Sequence, residues 1–215
     1  GSGARWGGLI IGDNAETEAL LLGTHLVEGT PLITMDGQSE ITISNAIIAR
    51  SSSTEPLIQT TINSAGQITI INSELSDSGA ECVSTQGAAI VTMFETSMES
   101  CGDVDLWMRG NQIDLTNVSL EGGADLAFVT GTMSNIVSTG DIEVSNIDGL
   151  SIENLDLIGT ISGINNREII IDTAHIIGAP GIEFDATAGT IDEVTIDCNG
   201  SGVGLVAHHG RASAP

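Results

Sequence analysis

The sequence predicts an all-β chain wound as a right-handed parallel β-helix (a β-solenoid) of about eight rungs, and three observations predict it. A short phrase, an apolar residue followed within a few positions by glycine, returns along most of the chain. The segments before it alternate apolar and polar residues, which is the period of a half-buried strand. Apolar residues make up 40% of the 215, yet aromatics supply only 2% and tyrosine is absent. Globular cores lean on rings for their bulk. A content dominated by Ile, Leu, Val and Ala suits narrow, repeated layers instead.

The phrase runs through Leu75-Ser-Asp-Ser-Gly79, Met98-Glu-Ser-Cys-Gly102, Leu120-Glu-Gly-Gly123 and Val137-Ser-Thr-Gly140. It continues in Leu157-Ile-Gly159, Ile176-Ile-Gly178 and Ile196-Asp-Cys-Asn-Gly200, with spacings of 23, 22, 17, 20, 19 and 20 residues between successive anchors. Leu22-Gly23 and Ile48 mark two looser, earlier turns. A constant return of this kind is the signature of a repeat architecture. Each turn of about 20 residues holds two or three short strands, for example Ile41-Thr-Ile-Ser-Asn, Ile68-Thr-Ile-Ile-Asn and Ile142-Glu-Val-Ser-Asn. A crossover helix has no room between anchors, which excludes a doubly wound α/β fold. Ile68, Val91, Ile113, Ile136 and Ile170 are expected to point inward and stack from rung to rung. Asn45, Asn72, Asn117 and Asn146 end strands, where asparagine tolerates a left-handed backbone and, in register, forms a ladder.

Residues 21–207 are assigned to the solenoid, 1–20 to a cap or lead-in, and 208–215 to a tail. Gly1-Ser2-Gly3 reads as a processed or added end, and no secretory signal or membrane span of about 20 apolar residues is visible. Asp13-Asn14 before Glu16 and Glu18 makes a good N-cap, so this stretch reads as a short capping helix over the first rung. The alternative is that Glu18 to Leu22 begin the first strand. Beyond Gly202 to Ala207 no capping element is evident, which leaves the last rung to a second subunit, or marks the chain as a piece of something longer.

Twenty-nine acidic residues face five basic ones, all arginine, for a net charge of −24. Such a surface repels nucleic acid and anionic membrane. The carboxylates serve as a solubilising coat or capture divalent cations; calcium held by Asp103, Asp105 and Asp125, about one rung apart, is the candidate metal site. Neither Asp103 with Asp105 nor Asp192 with Glu193 stands out as a catalytic pair among 29 acids. His208 and His209 point to opposite faces if extended, and His25 and His175 have no acid or nucleophile beside them in sequence. Cys82, Cys101 and Cys198 form no CxxC, so zinc and thioredoxin-type sites are not expected. A Cys82–Cys101 disulfide between neighbouring rungs and three free, buried thiols are equally compatible with the spacing. Ice binding calls for Thr-x-Thr at every rung, whereas Thr42, Thr69 and Thr92 recur singly and the row lapses at Asp114.

Phrases such as Ile41-Thr-Ile-Ser-Asn and Ile68-Thr-Ile-Ile-Asn-Ser resemble the repeats of the pectin-lyase-like superfamily, from about residue 20 to residue 207. That resemblance implies the fold and leaves function open, because lyases, glycoside hydrolases, tailspikes, adhesins and surface-layer proteins share it. Its lyases use an arginine or lysine base beside calcium-binding aspartates. Its polygalacturonase-like members carry Asp-Asp, Gly-His-Gly and Arg-Ile-Lys, of which only His208-His209-Gly210 is a faint echo. No catalytic residue and no cofactor other than calcium is assigned. The expected role is a non-enzymatic, extracellular or cell-surface element: an adhesin, or a subunit of a surface layer, filament or virion appendage. It self-associates through the solenoid ends. A glycan-binding or glycan-cleaving β-helix is the alternative, although Trp6, Trp107, Phe94, Phe128 and Phe184 are too scattered to form an evident sugar platform.

Overall fold

The computed structural model of the protein describes residues 7–12, 18–51, 54–200 and 202–208. These residues form a parallel β-solenoid of about nine turns, one more than the sequence pattern counts, with no helix among them. Each turn contributes a short strand to a ten-stranded sheet that runs from Leu9–Ile11 to Leu205–His208. It then contributes a longer segment to a twelve-stranded sheet. In early turns that segment is two strands, such as Gln67–Ile71 and Glu74–Ser78; from Ile90–Cys101 onward it is one bent strand. Turn length varies. Asn45 and Asn72 stack 27 residues apart, whereas Thr116 and Ser134 stack 18 apart.

Strand register explains why the anchors recur. Leu26, Ile48, Leu75, Met98, Leu120, Ser138, Leu157, Ile176 and Ile196 lie in one column, each paired with the next across a single turn. Stacked inward chains of this kind bury what no rung could bury alone. Two anchors slip by comparison with the sequence pattern. Val137 is 51% exposed and Ser138 fills its place, with the Ser138 hydroxyl donating to the Gly140 carbonyl at 2.8 Å. A buried hydroxyl with a local partner costs little, so pattern alone does not reveal the swap. Likewise Leu22 faces outward and Leu26 holds the column.

Of the residues expected inside, Ile68, Val91, Ile113 and Ile136 are buried, but Ile170 is outside, 38% exposed. It pairs with Ser151 and Thr190 on the outer face, while Ile169 and Ile171 are buried. In the run Ile169-Ile-Ile171 there is no polar residue to mark parity, and a one-residue shift reverses every side chain.

The capping helix is also corrected. Glu18–Leu22 is a strand paired with Glu40–Ser44, its Ala19 and Leu21 turned toward the core. As a strand it pairs the facing edge of Glu40–Ser44, whose N–H and C=O groups a helix, bonded within itself, would leave without backbone partners. Residues 13–17 of that expected helix lie outside the described residues, as do Trp6 and His209.

Two glycines are required by the tight wall. A Cβ on Gly131, at φ +126°, would lie 1.9 Å from the Ile113 carbonyl oxygen one turn below. A Cβ on Gly163 would meet the ring of Phe184 at 2.6 Å. Phe184 is thus accommodated in a narrow core because its neighbour has no side chain.

Candidate functional site

The longer segments bend at one residue per turn. At Asn45, Asn72, Glu95, Asn117, Asn135, Asn154, Thr173 and Glu193 the backbone is left-handed, with φ between 46° and 55°. Asparagine tolerates this conformation best among residues with a side chain, and five of the eight are asparagine. Asn72 Nδ2 donates to Asn45 Oδ1 at 2.6 Å, which makes one step of the expected ladder; Glu95 stands at the corner between Asn72 and Asn117. Asn146 is not part of the ladder. It belongs to another corner with Phe128, Asn165 and Ala186, which follow strands of the ten-stranded sheet and also have positive φ.

Because each strand folds outward-concave at this corner, the stack carries a trough along its side. One open cavity of about 540 Å³ runs from His25 to Asn117 and Ser119. A second, of about 490 Å³, follows from Asn135 to Glu193 and Thr195. Amides, hydroxyls and carboxylates line both, including Glu74, Glu95, Ser97, Asp156 and Thr173. His175, isolated in sequence, has an acid beside it in space. Asp156 on the adjacent turn places Oδ1 3.0 Å from His175 Nδ1.

Family models, curated proteins and solved structures were compared with the chain, and none matches. The chemistry of the trough therefore rests on its own residues. It presents hydrogen-bond donors and acceptors at strand spacing, about 4.8 Å per turn. The described arginines are occupied elsewhere: Arg50 with Glu28, Arg109 with Asp125, and Arg167 with Asp148.

The three carboxylates proposed for calcium occupy different surroundings. Asp103 is exposed in a turn. Asp125 lies on the outer face of the ten-stranded sheet, where both of its oxygens accept from the Arg109 guanidinium. That guanidinium stacks 4.6 Å from the Trp107 ring centre. Asp105 is fully buried, its Oδ2 accepting from the Gly122 amide at 2.8 Å and its Oδ1 without a partner. Desolvation pushes its carboxyl up to about 6, against the lowering effect of backbone amides at Gly122 and Glu121. Beside it, Cys82 and Cys101 are joined as a disulfide with Cα atoms 5.4 Å apart, and Cys198 is free.

Asp192 and Glu193 are exposed at the corner, and Glu193 N–H donates to Asp192 Oδ1. His208 is an exposed strand residue paired in register with Asp185. The threonine row does not end at Asp114: Thr132, Ser151 and Thr190 resume it above, interrupted by Ile170.

Sequence reading missed most of the corner residues. The signal was present as a polar or left-handed residue just before an inward one, as in Ser134-Asn135-Ile136, Glu153-Asn154-Leu155 and Asp172-Thr173-Ala174. Aligning turns on that position rather than on the glycine recovers the column.

Proposed function

We propose that this chain is a non-enzymatic adhesive element of an extracellular or cell surface, and that the corner trough is the face it presents to a glycan. The observation that carries this reading is the repeat of the trough: eight successive turns place an amide, hydroxyl or carboxylate at the same left-handed corner. An extended polymer with a regular hydroxyl pattern can meet such a row at many points, each weak alone and strong together. The net charge of −24 favours neutral or cationic glycans over acidic ones. A disulfide inside the stack fits an oxidising compartment. Adhesins and surface-layer proteins of the pectin-lyase-like superfamily, which the repeat phrases resemble, are the kind of protein meant.

Retention of the full chain on immobilised neutral polysaccharides tests this. Ser97 and Ser119 point into the trough, so Ser97→Arg with Ser119→Arg should cut retention at least tenfold without lowering the melting temperature. Ser84→Arg, on the opposite sheet, should leave retention intact. No retention by the parent chain, or equal retention by the trough variant, would reject the reading. Release of reducing ends from a retained polysaccharide would replace adhesion with cleavage.

A further inference from the structure

The most chemically unusual place in the molecule is not the trough but a point in the core between two turns. Cys82 precedes the strand Val83–Gln86, Cys101 ends the strand Ile90–Cys101, and Asp105 precedes Leu106–Arg109. One turn of the solenoid therefore brings Cys82 beside Cys101, 19 residues on, and beside Asp105, which follows Cys101 closely in sequence. The two sulfurs and a carboxylate oxygen all lie within 4.8 Å of one another, and all three residues are buried.

A disulfide alone does not account for Asp105. Its Oδ2 is held by the Gly122 amide, but Oδ1 is buried with no hydrogen-bond partner. An unsatisfied carboxylate oxygen is costly in a core, and a disulfide supplies neither a proton nor a positive charge. In the oxidised chain a proton on the carboxyl relieves that cost; with the disulfide open, a cation at this point would relieve it instead.

We propose that Cys82, Cys101 and Asp105 form a redox-gated site for a soft divalent cation, Zn²⁺ or Cd²⁺. In the oxidised chain the two sulfurs are bonded to each other. A dithiol opens the bond in two exchanges: its first thiolate attacks one sulfur, the S–S bond breaks, and the other cysteine leaves as thiolate. The second thiol of the reagent then closes on the first as a cyclic disulfide and releases the remaining cysteine. Two electrons and two protons pass from the dithiol to the protein. The cation displaces both thiol protons and is held by two thiolates and the Asp105 carboxylate.

Thiolates select soft ions over calcium. Zinc–sulfur bonds of about 2.3 Å place tetrahedral ligand atoms roughly 3.8 Å apart, so the two sulfurs, bonded to each other here, must part to that distance once the bond is opened. The same two turns are thus clipped covalently under oxidising conditions and by an ion under reducing ones. The Gly122 amide fixes the carboxylate in both states.

The experiment uses the full chain carrying Cys198→Ser, so that the third thiol contributes nothing. The disulfide is reduced, the reductant is removed without air, and Cd²⁺ is titrated. Expected are one Cd²⁺ per chain, a thiolate-to-cadmium absorption band in the ultraviolet, and a melting temperature raised above that of the reduced, metal-free chain. Cys101→Ser should abolish the band. Asp105→Asn should keep a band but weaken binding at least tenfold, which separates its role as ligand from mere proximity. No band on the reduced chain, or an Asp105→Asn affinity equal to the parent's, overturns the site. So does a reduced chain that has lost its β circular dichroism and does not regain it on adding Cd²⁺.

Discussion

Asp105 and Gly122 meet across one turn of the solenoid, the Gly122 amide donating to Asp105 Oδ2 at 2.8 Å while Oδ1 of the same carboxylate has no partner. Half of a buried carboxylate is thus satisfied. Its folded-state pKa is raised, to about 6 from 3.8, so the protonated form is the one the fold prefers. The stabilisation is fully present below about pH 4 and is lost as the pH rises through 6, up to roughly 3 kcal/mol for a two-unit shift. In the oxidised chain, Asp105→Asn should keep an acceptor for Gly122 and remove this dependence. Chemical denaturation from pH 3.5 to 7.5 should show the parent losing stability relative to the variant, most steeply between pH 4 and 6. Parallel curves would refute the assignment.

Parity in the strand Glu168–Ile177 can be read by a pair of substitutions. Ile171 is buried and Ile170 faces outward. Ile171→Asp should cost at least ~3 kcal/mol or prevent folding, since it deletes a core side chain and buries a charge. Ile170→Asp should leave the midpoint of urea denaturation within about 0.5 kcal/mol of the parent. Equal damage from both would mean that the register is displaced by one residue.

Glu95 holds a left-handed corner between Asn72 and Asn117. Its side chain gains nothing from that backbone, whereas an asparagine adopts it readily. Glu95→Asn should raise stability by ~0.5–1 kcal/mol, and the gain should be read from an unchanged denaturant slope with a later midpoint. A loss of stability would show that Glu95 makes a contact worth more than the strain.

Like charges stack as well as apolar groups. Glu153, Asp172 and Asp192 pair in register on three consecutive turns, an arrangement that opposes strand pairing. Asp172→Asn should raise the melting temperature in low salt, and most of that gain should vanish at 1 M salt, where the screening length is about 3 Å. The parent, at net charge −24, should itself melt higher in salt. A melting temperature indifferent to ionic strength would remove the electrostatic account.

The sequence by itself determined the winding. Alternation in Ile41-Thr-Ile and Ile68-Thr-Ile dictates strands with one face buried, and the return of anchors such as Leu75, Met98 and Leu120 dictates that these faces stack. Period and spacing are local properties of the chain, so they survive without coordinates. Tertiary structure alone decided which residue of an ambiguous run turns inward, because Ile170 and Ile171 are equally apolar and only pairing with Ser151 and Ile152 separates them. It likewise decided that Ser138 rather than Val137 enters the column, since a hydroxyl is acceptable inside once Gly140 accepts its proton. The trough and the Cys82–Cys101–Asp105 cluster belong to the same class. Members of the trough stand a full turn apart in sequence, and turns here range from 18 to 27 residues. The 19-residue separation of Cys82 and Cys101 leaves a bridge open without deciding it, and the pairing of one rung on the next sets both beside Asp105.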